Sequence, residues 1–234
     1  MSPERFQRIN EMLDKRQIDL TVCLDGIHKN NNLSAVVRTA DAVGIADVHA
    51  IMPPGEMRVT NNTSSGSQQW VACHRHNDFI QALPTFKAQD MQIIVTNFSD
   101  KAVDFRSIDY TKPTVVVMGN ERDGVSQEAI AHADQQVIIP MMGMVQSLNV
   151  SVATALILYE AQRQRQQAGM YQQRQVDDGY CQKLLFEQGY PIFAKACRRK
   201  QLAYPNIDQQ GQIQAPDAWW QAMRAISEIE TATI

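Results

Sequence analysis

Three stretches of this 234-residue chain place residue types at spacings that could support chemistry. GNERDGVS (119–126) directly follows the apolar run TVVVM, with Gly119 and Gly124 giving backbone freedom or close approach on either side of Glu121. By itself it also reads as a strand-to-helix turn capped by Ser126, and no G-x-G-x-x-G spacing makes it a dinucleotide fingerprint. IPMMGMVQSLNVSVA (139–153) joins a strand end, a methionine-rich turn and the start of an apolar helix. Ser147 and Asn149 stand where that helix begins; they can cap its free N–H groups, or the helix start can hold a carboxylate or phosphate. Met141, Met142 and Met144 offer a soft apolar wall for a flat base, or ordinary core filling. In NNLSAVVRTADAVG (31–44), Asn31 or Asn32 is the expected helix cap. Arg38 lies more than a turn into that helix, and taken alone reads as a solvated arginine paired with Asp41.

Cysteine and histidine chemistry is thin by comparison. Cys23, Cys73, Cys181 and Cys197 make no C-x-x-C pair and read as buried or incidental thiols. His74 and His76 would share one face of a strand, and without a third ligand they suggest an exposed edge and no metal. His28, next to Lys29, is either a solvated loop residue or a phosphate contact.

The elements that must position these residues follow from periodicity. Helical spacing covers residues 3–15, 33–43, 77–88 and 127–133; strands are expected at 20–24, 48–52, 92–96, 114–118 and 136–141. Val- and Ile-rich strands alternating with helices of about ten residues give an α/β fold with a parallel sheet covered on both faces. Ligands in such sheets bind beyond the carboxyl ends of the strands, where the three stretches fall. The helix expected over 147–162 is apolar on nearly every side and should be buried. Beyond Glu160 the composition turns to Gln and Arg, which divides the chain into an extension (1–19), a core (20–160) and a helical C-terminal extension (161–234).

No apolar run reaches eighteen residues, and the first twenty carry Glu4, Arg5, Arg8, Glu11, Asp14, Lys15 and Arg16, so neither a membrane span nor a signal peptide is expected and the protein should be cytoplasmic. The net charge of −3 argues weakly against nucleic acid until it is divided along the chain. Residues 39–159 sum to −5, whereas 160–204 sum to +4 through Arg163, Arg165, Arg174, Lys183, Lys195, Arg198, Arg199 and Lys200. That segment is either a solvated helical face or a set of phosphate contacts, with Tyr171, Tyr190 and Tyr204 available for stacking. Trp219 and Trp220 are expected to pack the tail.

Taken in order, Asn32 through Arg38-Thr39-Ala40, Gly119-Asn120-Glu121 through Gly124-Val125, and Ile139-Pro140-Met141 through Ser147-Leu148-Asn149-Val150-Ser151 resemble the three motifs of the SPOUT class of methyltransferases, in its SpoU/TrmH branch. The resemblance spans roughly 20–160, and HKNNNLSAVVRTADAVG together with LFEQGYPIFAK narrows it to members that methylate the ribose 2′-hydroxyl of guanosine 18 in the D-loop of tRNA. It implies a deep trefoil knot, a homodimer with active sites at the subunit interface, and S-adenosyl-L-methionine bound in the knot by Thr96, Gly119, Ile139 and Leu148. It makes Arg38 the catalytic residue that engages an RNA phosphate and readies the hydroxyl. Asn32 would hydrogen-bond Arg38 or the ribose, Ser147 the adjacent phosphate, Glu121 would shape the motif loops, and Asn149 would orient the loop or the partner's motif-one helix. Methyl transfer from a sulfonium needs no metal. The competing expectations are another tRNA or rRNA nucleotide and a noncatalytic RNA-binding module; a nucleotide-dependent oxidoreductase is disfavoured by the missing glycine fingerprint.

Overall fold

The computed structural model describes residues 1–27, 29–52, 69–120 and 122–225. In chain order its helices are α1 (Pro3–Leu13), α2 (Asn30–Ala42), α3 (Phe79–Lys87), α4 (Gln127–Ala131), α5 (Val150–Gln167), α6 (Asp178–Gly189), α7 (Pro191–Lys200) and α8 (Asp217–Arg224). The strands are β1 (Leu20–Asp25), β2 (Asp47–Ile51), β3 (Ala72–His76), β4 (Gln92–Thr96), β5 (Val103–Asp104), β6 (Thr114–Gly119), β7 (Gln135–Ile138), β8 (Asn206–Ile207) and β9 (Ile213–Gln214). The chain forms two compact units, Arg16–Gln173 and Met1–Lys15 with the chain from Arg174 onward.

The first unit is built on seven strands in the order β3-β2-β1-β6-β4-β7-β5, every pairing parallel. β1 and β6 hold the centre because LTVCLD and TVVVM are buried along nearly their whole length. Leu20, Val22 and Leu24 face α2 and α5 through Val36, Val37, Ile157 and Leu158, while Cys23, Val115 and Val117 face α3 and α4 through Phe79, Phe86 and Ala129. The double covering expected from the apolar runs is present, and Ser126 caps α4 by accepting the Ala129 N–H. β7 ends at Ile138 rather than 141, since Pro140 has no N–H to give a ladder.

Two local expectations are corrected. α2 begins at Asn30 with Lys29 before it and no side-chain cap, so neither Asn31 nor Asn32 is the cap; Asn32 is buried and its amide is engaged elsewhere. α5 is not buried all round: Thr154, Ile157, Leu158, Ala161 and Arg165 face inward, whereas Val152, Leu156 and Tyr159 form an exposed stripe. The helix continues through Gln167, which gives part of the Gln- and Arg-rich run a structural role.

Arg165 shows that role. It is 0% exposed and spends its donors on the carbonyls of Tyr110, Asp19 and Lys112, the Gln17 side chain and the Asp19 carboxylate. It therefore ties the end of α5 to the start of β1 and the loop entering β6, and does not face RNA. Arg16, equally buried, binds the carbonyls of Ile45 and Trp70 and the Asp41 carboxylate, so Asp41 has Arg16 as its ion-pair partner.

At the β3 edge the histidines form a stack. His49 Nδ1 lies 2.9 Å from His76 Nε2, and the His49 ring stacks on both His74 and His76 and meets Phe86 edge-on. Burial, then the neighbouring His74 and His76, push the His49 pKa down to about 3. An unfolded chain carries an imidazole titrating near 6.5, so below that pH the unfolded state binds more protons. Stability is thus fully present above about pH 6.5 and is lost as pH falls toward 3, by about 2 kcal/mol at pH 5 for His49 alone. Melting curves should hold steady from pH 8 to 7 and drop below 6.5, with His49→Gln flattening the drop; parallel profiles for both proteins would contradict this.

In the second unit α1 packs on α6, α6 on α7 and α7 on α8, around Ile9, Leu13, Leu185, Phe186, Ala194 and Trp219. Trp219 packs on Phe186 and Phe193 and donates to the Ala203 carbonyl, as the tail-packing expectation requires. Most of the basic residues near this region have partners within the fold. Arg174 pairs with Asp14, Arg198 with Glu187 and Tyr204, and Lys200 Nζ donates to the carbonyls of Ala222, Met223 and Ala225 at the end of α8. Arg163 pairs with Glu160 on α5. The three tyrosines expected to stack on bases are also engaged: Tyr171 donates to the Val43 carbonyl, Tyr190 to that of Gly211, and Tyr204 to Glu187.

Candidate active site

The carboxyl ends of β4, β6 and β7 enclose a cavity of about 280 Å³. Thr96, Gly119, Ile139 and Leu148, the four residues expected to hold a cofactor, all line it, and so does Ser147. Met118, Val137, Val150 and Ala153 complete an apolar floor, with Asn97, Asn120 and Gln146 as polar points. No ionisable side chain lines the cavity among the described residues; these offer a ligand shape, backbone groups and neutral dipoles. Of the three methionines in the 141–144 turn only Met141 reaches it; Met142 and Met144 are 94% and 98% exposed, which corrects the core-filling reading for those two and places them outside the cavity lining.

The walls owe their shape to close backbone packing. The Thr96 hydroxyl donates to the Val117 carbonyl and accepts the Gly119 N–H, binding the ends of β4 and β6. Asn120 and Gly124 exchange two backbone hydrogen bonds, and Asn120 Oδ1 accepts the N–H groups of Arg122 and Asp123. A Cβ on Gly119 would lie 2.2 Å from the Gly124 carbonyl carbon and 2.4 Å from the Val125 nitrogen, so only glycine fits. Glu121 and His28 lie outside the described residues.

The outer motifs meet through two amides. Asn149 Nδ2 donates to Asn32 Oδ1 at 3.3 Å, while Asn149 Oδ1 caps α5 by accepting from the Ser151 N–H and hydroxyl. Asn32 also borders a small void with Met118, Gly119, Asn120 and Val150, residues that the larger cavity shares. Arg38 is exposed on α2, six residues beyond Asn32, so helical geometry turns the two side chains about 120° apart. The described residues hold no group of three or more His, Cys, Asp or Glu able to bind a metal ion, and no helix among them is long and apolar enough to cross a membrane.

The sequence profile of the SpoU rRNA methylase family matches residues 19–159, more than half of the chain. The chain belongs to the SpoU methylase family. A second profile, for the C-terminal region of SpoU rRNA methylases, matches 163–216. The tRNA (guanosine(18)-2′-O)-methyltransferase of Escherichia coli (strain K12) is 55% identical over 227 residues, covering 96% of this chain and 99% of that protein. The crystal structure of the A. aeolicus TrmH/SpoU tRNA modifying enzyme is 44% identical with a TM-score of 0.74, over 81% of this chain and 96% of that one. The SpoU methyltransferase AviRb from Streptomyces viridochromogenes, solved in complex with the cofactor AdoMet, is 28% identical with a TM-score of 0.58, over 64% of this chain and 62% of that one.

In this SpoU member the structure adds residues that the sequence reading passed over. Asn97, Phe98 and Gln146 line the cavity, Asp25 at the end of β1 borders the small void beside it, and Gly26 packs against the Asn120 amide. A signal existed for the last two: an Asp-Gly pair closing a buried strand marks a turn at the end where ligands bind.

Proposed function

We propose that this protein transfers the methyl group of S-adenosyl-L-methionine to the ribose 2′-hydroxyl of guanosine 18 in the D-loop of tRNA, acting in the cytoplasm as a homodimer. The observation that carries the reading is 55% identity across 96% of the chain with a protein named for that activity. The cavity fits the cofactor: Met118, Ile139 and Leu148 would enclose a flat purine, and Thr96, Asn97 and the backbone at Gly119 would meet its polar ends. When bound, the cofactor supplies the electrophilic methyl carbon. Arg38 grips an RNA phosphate and orients the 2′-hydroxyl. A guanidinium keeps its own proton, so Arg38 is not the base, and the hydroxyl proton passes to solvent water late in the transition state. Ser147 holds the adjacent phosphate, Asn32 and Asn149 lock α2 to α5, and Glu121 shapes the motif loops.

Three structural features support the wider reading. β7 lies between β4 and β5, both earlier in the chain, and α5 then packs on α2, an order compatible with a trefoil knot. Val152, Leu156 and Tyr159, with the exposed Met142, Met144 and Val145, offer an apolar face for a second copy of the chain. Leu156→Arg should therefore shift sedimentation toward a monomer, and an unchanged profile would refute that face. In the extension proposed to bind tRNA (161–234, with 1–19), the exposed Lys183 and Lys195 replace the paired Arg198 and Lys200 as phosphate contacts.

The deciding experiment is radiolabelled methyl transfer to an unmodified tRNA transcript and to one with adenosine at position 18. Labelling of the first alone is expected; equal labelling of both would redirect the reading to another nucleotide. Gly119→Ala should weaken cofactor binding in calorimetric titration at least tenfold and cost about 1–3 kcal/mol of stability, because the backbone across from it must move. Wild-type affinity in that variant would contradict the packing argument.

A further inference from the structure

We propose that Asp25 is a positioning residue that clamps the 119–126 loop onto the end of β1 and thereby holds the cofactor cavity in shape; the inference rests on the methyltransferase reading above. Asp25 is the last residue of β1, is 5% exposed, and pairs in register with Gly119. Its Oδ2 accepts the backbone N–H of Ser126 at 2.7 Å, a contact between residues far apart in sequence. Its side chain also borders the small void of about 10 Å³ that Asn32, Gly119 and Asn120 share. A buried carboxylate is costly to keep in a core, and this one is spent on the far end of the loop.

Gly26 secures the near end. It takes φ +70°, and a Cβ there would stand 2.9 Å from Asn120 Nδ2, so the Asn120 amide lies directly over it. The same amide, through Oδ1, holds the Arg122 and Asp123 N–H groups. The loop thus rests on Asp25-Gly26 at both ends, and its Gly119, Asn120 and Gly124 form one wall of the cavity. Removing the Asp25 acceptor strands the Ser126 N–H and frees that wall, whereas an amide at position 25 keeps an oxygen aimed at it.

The test measures S-adenosyl-L-methionine affinity by calorimetry and amide hydrogen exchange at Gly124, Val125 and Ser126, for the full-length wild type, Asp25→Ala, Asp25→Asn and Thr21→Val. Thr21, buried on the same strand and bonded to the Asp47 carbonyl, controls for general loss of stability. Expected are at least tenfold weaker binding and faster Ser126 exchange in Asp25→Ala, recovery to within threefold of wild type in Asp25→Asn, and wild-type affinity in Thr21→Val. Should Asp25→Ala fail to fold, Asp25→Val, close in shape and suited to a strand, carries the same expectation. Affinity within threefold of wild type in the Ala or Val variant, or unchanged Ser126 exchange, overturns the clamp. A wild type that binds no cofactor would overturn the methyltransferase reading, while the exchange measurement would still decide the clamp.

Discussion

Arg38→Ala is expected to slow single-turnover methyl transfer by on the order of a thousandfold, a loss of about 4 kcal/mol of transition-state stabilisation, while leaving cofactor affinity unchanged. The separation follows from where the residues lie. The cavity lining is free of ionisable side chains among the described residues, and Arg38 stands outside it, exposed on α2. Among the described residues the lining offers neither a cation for an anion nor a base for a ribose hydroxyl, and the proposed role of Arg38 would supply the cation from the RNA side. Arg38→Lys should recover little, because an ammonium lacks the planar fork that engages a phosphate and a hydroxyl together. Substantial single-turnover activity in the lysine variant would sink both the phosphate-clamp and the general-base accounts of Arg38.

The largest stability effect is expected at Arg165. Arg165→Met should cost about 3–5 kcal/mol, lowering the melting temperature by roughly ten degrees, because the Asp19 carboxylate and three carbonyls lose their donor in a buried setting. The fraction that remains folded should bind tRNA with an unchanged salt slope. A phosphate contact would show the opposite pattern, a nearly normal melting curve and a slope reduced by about one. Thermal melting combined with a salt titration of tRNA binding separates the two outcomes.

Arg165 also marks a limit of what the sequence disclosed. Counting charge by segment treats every arginine as solvated, and one inside a helix that runs from apolar to Gln-rich cannot be told from its neighbours until β1 and the loop before β6 are seen to meet it. Lys200 was hidden for the same reason, since its carbonyl partners on α8 lie more than twenty residues away. The sheet was legible because buried parallel strands are written as continuous Val and Ile runs, and strands at 92–96 and from 114 onward stand where those runs are. The two-residue β5 carries no such signal. At the site, the cavity residues Thr96, Gly119, Ile139 and Leu148 came through the motif resemblance, while the Asn32–Asn149 pair and the Asp25 contact needed the fold to bring distant segments together.

The strand order has a consequence for how the chain reaches this state. β1 finds β2 among its near neighbours in sequence, but its other edge stays open until β6 arrives, with Leu20 meeting Thr114 and Asp25 meeting Gly119. β5 has no partner until β7 slots between it and β4. Such distant parallel pairings put loop closure ahead of any reward in contacts, so refolding belongs on the millisecond-to-second scale or slower. A nascent chain emerging from the ribosome must carry the unpaired apolar edge of β1 until more than half of the protein has been made.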